Sequence, residues 1–180
     1  VETKVPAGLE ALGAGIDVLA ATRTGKDTAR ANGTSIAFIA EYDGMRVLLG
    51  ADAHPGILER GLRSLSGDGK LPIDLVKVPH HGSQNNVSRE LLQRMDCRRF
   101  LISTDGTKFK HPDPIALARI IASQRDGVEL FFNYRQPRAL EWAENPEAGR
   151  RYRCVFPDSG MPLVIDVRDH PVAARRDMAG

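Results

Sequence analysis

Short apolar runs separated by polar, helix-spaced segments recur along this chain, the pattern of strands alternating with helices. GIDVLAA, from Gly15 to Ala21, reads as a short buried strand, followed by a polar, turn-rich loop from Thr22 to Gly33. Thr34 to Tyr42 and Arg46 to Gly50 flank Asp43-Gly44, a dipeptide that tolerates the positive φ angles of a tight turn, so a hairpin is expected. After Pro55 the spacing of Ile57, Leu58, Leu62 and Leu65 predicts a helix with one apolar side. Pro72 opens a strand, IDLVKV, that ends at Pro79. A short helix is expected from Ser88 to Met95 with Asn86 or Ser88 as its cap, and a strand from Phe100 to Ser103. Asp113-Pro114 is a helix start, a capping acceptor followed by proline at the first helical position, and that helix should run to about Ser123. Val128 to Phe132 is a further strand, and Tyr152–Phe156 and Leu163–Val167 are candidates for two more. The last ten residues read as a frayed tail.

The sum is an α/β fold. The chain of 180 residues is long enough for a real core, burying roughly 70% of the surface exposed when unfolded. With 42% hydrophobic and 27% charged residues, collagen-like, coiled-coil and disordered classes are excluded. No apolar run approaches the ~18 residues of a membrane span. A net charge of +2 is too small to argue for nucleic acid by itself. Cys97 and Cys154 lack CxxC neighbours and read as reduced core thiols, which points to a cytoplasmic location.

Chemistry-bearing residues fall just after strands. Asp52 follows MRVLLGA, and His80 and His81 follow LVKVP in the string Pro79-His80-His81-Gly82-Ser83. In α/β sheets ligands bind outside the carboxyl ends of strands. A carboxylate and a neutral imidazole brought to one edge by neighbouring strands would suit a divalent metal. An aspartate after a strand is also a common turn former or helix cap, and adjacent histidines on an extended chain point apart, so one at most would reach a given metal. His111, in Lys110-His111-Pro112, lies at another strand-to-helix junction, while His54 and His170 carry weaker signals.

Taken together, Asn32-Gly33-Thr34-Ser35-Ile36, Val47-Leu48-Leu49-Gly50-Ala51-Asp52, Asp74 to Ser83 with its His-His-Gly-Ser, Leu101-Ile102-Ser103 and His111-Pro112 resemble metallo-β-lactamase-fold hydrolases. The similarity is to the branch typified by the hydrolase domain of the bacterial DNA-uptake channel, and it spans roughly Ile16 to Phe132. It implies that residues 1–135 form the C-terminal half of an αββα sandwich, with 136–180 a C-terminal extension. It implies Asp52 as the carboxylate bridging two metal ions, zinc first and manganese second, and His81 as the last histidine ligand. His80 would then stand behind the ligand or on a substrate phosphate, as the catalytic contact, with Ser83 and His111 lining the substrate pocket. The reaction implied is hydrolysis of a phosphodiester, phosphate ester or related ester by metal-activated water, with nucleic acid as the first candidate substrate. Arg89, Arg94, Arg98, Arg99, Lys108 and Lys110 would flank the mouth.

Two departures matter. Ala51 stands where the family usually has glycine, and the family's His-x-His-x-Asp-His signature is absent, since His54, His80, His81, His111 and His170 are the five histidines. The chain is therefore expected to be the C-terminal portion of a longer hydrolase, incomplete and inactive alone; the alternative is a non-catalytic binding or assembly module that keeps the fold. In either case one sheet face would be apolar and must be covered, by the missing half, by a second copy, or by rearranged C-terminal segments.

Overall fold

The computed structural model describes residues 15–124, 127–145 and 151–168. Helices α1 (Ile16–Ala21) and α2 (Arg30–Gly33, a single turn) lead into a hairpin of β1 (Phe38–Tyr42) and β2 (Met45–Leu49). Asp43 and Gly44 both take positive φ, 49° and 73°, the turn geometry whose twist matches that of paired strands. Helix α3 (Pro55–Ser66), the two-residue β3 (Leu71–Pro72) and β4 (Leu75–Lys77) follow. After them come α4 (Arg89–Leu92), β5 (Met95–Asp96), β6 (Arg99–Ile102) and α5 (Pro114–Ala122). The chain continues through β7 (Val128–Phe132), α6 (Pro137–Glu144) and β8 (Tyr152–Val155).

Six strands form one sheet in the order β1-β2-β4-β6-β7-β8, and β3 pairs separately with β5. Only β1 runs antiparallel to its neighbour; every other pair in the main sheet is parallel, each crossover carrying a helix. The carboxyl ends of β2, β4, β6 and β7 therefore share one edge.

Register separates the two faces. Leu48, Val76, Phe100 and Leu130 are successive partners across the sheet, and all four lie in the single hydrophobic core with Leu58, Leu62, Leu91, Ile115, Ile120 and Trp142 from the helices. The opposite face carries Phe38, Leu49, Lys77, Leu101 and Phe131 in register. Towards β1 this face is open: Phe38 is 51% and Tyr42 86% exposed, with Met45, Val47 and Leu49 half-buried. Among the described residues no helix is long and apolar enough to cross a membrane.

Several expectations change. Gly15–Ala21 is not a strand: Ile16, Leu19 and Ala20 are buried at i, i+3, i+4 spacing, while Asp17 and Val18 face out. That spacing makes α1 a lid on α5, which is buried all round. Ile57 and Leu65 lie outside the buried stripe of α3. Leu163–Val167 forms no strand. Its end is held by Arg99, whose guanidinium donates to the carbonyls of Asp166 (3.2 Å) and Val167 (2.6 Å) while Nε donates to Asp74 O. Arg99 is buried at the start of β6, opposite to the edge where the strands end, so it is not at the expected mouth. Pro137–Glu144 and Tyr152–Val155 add α6 and β8 to the same core and sheet, with Tyr152 Oη donating to Trp142 O at 2.7 Å. The expected tail, 171–180, lies outside the described residues.

Arg119 of α5 ties the N-terminal loop to the layer beneath. Its guanidinium donates to the carbonyls of Gln84, Val87 and Thr22 and to Thr24 Oγ1, all at 2.8–3.0 Å. Removing it would strand buried acceptors, so Arg119→Ala is expected to lower unfolding free energy by about 3 kcal/mol in chemical denaturation. A change within ~0.5 kcal/mol would show that these bonds are matched by water.

Candidate metal-binding edge

Four loops meet where β2, β4, β6 and β7 end. The Asp52 loop and the twin-histidine turn are joined directly, because the His80 amide donates to Ala51 O at 2.8 Å. The histidine turn is joined to the loop before α5, since the Asp113 amide donates to Gly82 O and the Gln84 amide to Asp113 Oδ2, both at 2.9 Å. Asp113 thus spends its carboxylate across the loops rather than capping its own helix.

The backbone here is left-handed at several positions without glycine: Ala51 (φ 45°), His80 (φ 45°, ψ 48°) and His81 (φ 56°, ψ 19°). Each such residue costs roughly 1–2 kcal/mol, strain of the kind held at functional sites. Gly82 continues the turn at φ 85°, and a Cβ there would lie 2.8 Å from Pro112 Cβ. The turn sends its two imidazoles apart, with ring centroids 6.2 Å from each other. They diverge as expected, but in a left-handed turn and not on an extended chain.

His81 turns toward Asp52. Its Nδ1–H donates to Ser103 O at 2.6 Å, which leaves Nε2 with the lone pair, 3.8 Å from Asp52 Oδ1. An imidazole fixed through one nitrogen to a carbonyl, with the other nitrogen free, is the arrangement that metal-ligating histidines use. Both side chains are a little over 40% exposed, so this pair opens outward. Ser103 is itself braced by Asn133 at the end of β7, which donates to Ser103 Oγ and accepts from the Thr104 amide, both at 3.0 Å. Lys77, at the end of β4, brings a cation to the same region. Burial pushes its ammonium below the usual lysine range, and the Asp52 carboxylate works against that shift.

His80 turns the other way, into a polar cluster that sequence reasoning missed. Asn86, fully buried, presents Oδ1 to His80 Nδ1 at 3.0 Å, and its Nδ2 donates to Asp27 Oδ2 at 2.8 Å. Asp27, its side chain 9% exposed, also accepts from Asn32 Nδ2 (2.7 Å) and the Ala29 amide (2.9 Å), and lies 3.4 Å from His80 Nδ1. Burial would raise the Asp27 pKa, but the hydrogen bonds from Asn86, Asn32 and Ala29 outweigh it and hold the carboxyl well below its usual range, with the His54 charge helping. The available signal was the pairing of Asn32 with an acidic residue five positions earlier, in a loop otherwise read as turn-rich.

His111 comes within 5.5 Å of His80, ring to ring, and Phe109 stacks on it from outside with Lys108 over the Phe109 ring. Ser83 is buried, and its Oγ accepts from the Asn85 amide. His54 Nε2–H donates to Ala29 O at 2.9 Å, away from the pair. The structure thus brings Asp52 and His81 together, sets His80 and His111 behind them, and turns Ser83 inward. Cys97 and Cys154 are free thiols, both pushed up to about 12 by burial. Among the described residues no three His, Cys, Asp or Glu side chains form a group that could hold a metal ion. No family model, no curated protein and no solved structure matches this chain.

Glycine at position 51 would take the left-handed backbone without strain, so Ala51→Gly is expected to raise stability by about 1 kcal/mol, whereas Gly82→Ala should cost roughly 1–3 kcal/mol. Thermal or urea unfolding of the two variants checks the opposed signs. The depressed Asp27 pKa stabilises the fold fully above the ordinary value of 3.8, and that contribution is lost as pH falls below it toward the folded-state pKa. Urea midpoints measured from about pH 7 to about pH 3 should therefore fall more steeply for the native chain than for Asp27→Asn, which is expected to be less stable at neutral pH with a flatter acid limb. Parallel acid limbs would mean that Asp27 titrates alike in both states.

Proposed function

We propose that this chain contributes half of a divalent-metal centre for hydrolysis of phosphodiester or phosphate-ester bonds. Asp52 and His81 would be the ligands it supplies, the remaining donors coming from another segment. The observation that carries this reading is the 3.8 Å approach of His81 Nε2 to Asp52 Oδ1 with His81 Nδ1 already committed to Ser103 O. Those two donors fit a borderline-soft cation such as zinc, with manganese as the oxygen-preferring alternative. The left-handed Ala51 supports the resemblance to metallo-β-lactamase-fold hydrolases, because it occupies the position where that family usually carries glycine.

When bound, a metal pair would activate water and neutralise charge on the reacting oxygen. The chain's own residues do the rest. Asp52 and His81 set the place of the cation, Ser103 and Asn133 hold His81 in position, and Lys77 adds positive charge beside Asp52. Exposed Lys108 and Lys110, next to His111, are suited to the phosphates of an extended substrate, nucleic acid first. The open sheet face at Phe38, Tyr42, Met45 and Val47 would be the seat of the completing layer of an αββα sandwich, supplied by another segment or by a second copy.

A second reading, a non-catalytic binding or assembly module, draws support from the small number of donors gathered at the edge among the described residues. Calorimetry with Zn²⁺ separates the two. The chain alone is expected to bind weakly, and the chain joined to a segment bearing the His-x-His-x-Asp-His signature to bind tightly and cleave an activated phosphodiester. Asp52→Ala and His81→Ala should each cut metal affinity by more than the roughly 10–100-fold typical of an outer contact, and abolish cleavage. Unchanged cleavage in either variant, or no gain in binding on joining, would refute the hydrolase reading.

A further inference from the structure

The polar cluster around His80 fixes more than the orientation of a ring. Asn86 is fully buried, and three acceptors surround its Nδ2: Asp27 Oδ2 at 2.8 Å, Ala53 O at 3.3 Å and Asp52 O at 3.4 Å. Turning the amide over would set its oxygen against a carboxylate and two carbonyls, leaving the nitrogen with His80 alone. The hydrogen-bond inventory therefore permits one orientation, with Nδ2 on Asp27 and Oδ1 on His80. Oδ1 is an acceptor only, so the His80 nitrogen 3.0 Å away must bring the proton. The nearby Asp27 Oδ2, 3.4 Å from the same nitrogen, is a second acceptor with the same demand; the donor Asn32 Nδ2 also lies 3.4 Å from it, but makes its short bond, 2.7 Å, to Asp27 Oδ2. Asp27 in turn is held by Asn32 and the Ala29 amide, so the whole chain of bonds is oriented from the loop before β1.

We propose that Asn86 and Asp27 are positioning residues that lock His80 in its Nδ1–H tautomer, making Nε2 a hydrogen-bond acceptor. A neutral His80 of this kind cannot donate to a phosphate oxygen through Nε2. It receives a hydrogen bond instead, from a water or from a hydroxyl group of a bound substrate. Within the function proposed above, His80 is thus the contact that accepts a proton from the attacking water, and not a partner for the phosphate or the departing oxygen, both of which need a donor. That assignment of the donor rests on the hydrolase reading; the tautomer does not.

The test needs neither metal nor substrate. The full chain, labelled with ¹⁵N in its histidine rings and measured at about pH 8, reports each tautomer through the nitrogen that carries the proton. His80→Gln and His81→Gln assign the two signals. The expected result is Nδ1–H for His80, with a ring proton slow enough in exchange to be seen, and the same tautomer for His81 through Ser103. In Asn86→Ala the His80 proton signal is expected to be lost and the ring to shift toward the Nε2–H form, while His81 stays unchanged. The His81 signal shows that the variant is folded, and should that variant unfold, Asp27→Asn supplies the same comparison with a smaller shift. A native His80 in the Nε2–H form, or a His80 signal indifferent to loss of Asn86 in a folded variant, would overturn the proposal. Failure of the calorimetric experiment above with the Nδ1–H form intact would remove the hydrolase reading and leave the tautomer lock standing.

Discussion

The bond from the His80 amide to the Ala51 carbonyl joins two loops that would otherwise be independent. It can form because β2 and β4 are parallel neighbours that end together, with Gly50 allowing Pro79 and Lys77 to come close. Beside it the chain turns in the left-handed region, at Ala51 in the loop after β2 and at His80 and His81 in the turn after β4. The two imidazoles are sent to opposite sides, one to Asp52 and the other to Asn86 and Asp27. Nearly every feature of the site is a consequence of that one link.

Such strain persists only where surrounding structure over-determines it. Here the surroundings are polar on one side and apolar on the other. Asp27, Asn32 and Asn86 satisfy each other's hydrogen-bonding groups and give His80 a place to rest. Beneath them Val78, Val87, Ile102 and Ile115 belong to the continuous core, so the loops stand on packed strands and a buried helix. Arg119 connects the two levels, reaching from α5 to the loop carbonyls that precede and follow the histidine turn. The open pair, Asp52 and His81, is the part of this arrangement left facing outward.

Much of the scaffold was legible because local chemistry determined it. Asp43-Gly44 fixed its turn, Asp113-Pro114 opened its helix, and Ser88 capped α4 by accepting from the Leu91 amide. The meeting of Asp52 with His81 was legible too, since residues just past parallel strands share an edge. What stayed hidden was decided by tertiary contacts. GIDVLAA is too short for periodicity to separate helix from strand, and only packing on α5 made it α1. Arg99 resembled a surface cation until its guanidinium found the backbone of 166 and 167. Asp27 lay in a stretch of turn residues, and its role depends on Asn86, 59 positions later.

The most direct measurement is to locate a divalent cation on this edge by anomalous scattering from crystals, grown with zinc, of the chain joined to a segment bearing the His-x-His-x-Asp-His signature. The account predicts a peak about 2.0–2.2 Å from both His81 Nε2 and the Asp52 carboxylate, with His80 unligated. A cation ordered at His80, His54 or His111 with none between Asp52 and His81 would contradict it.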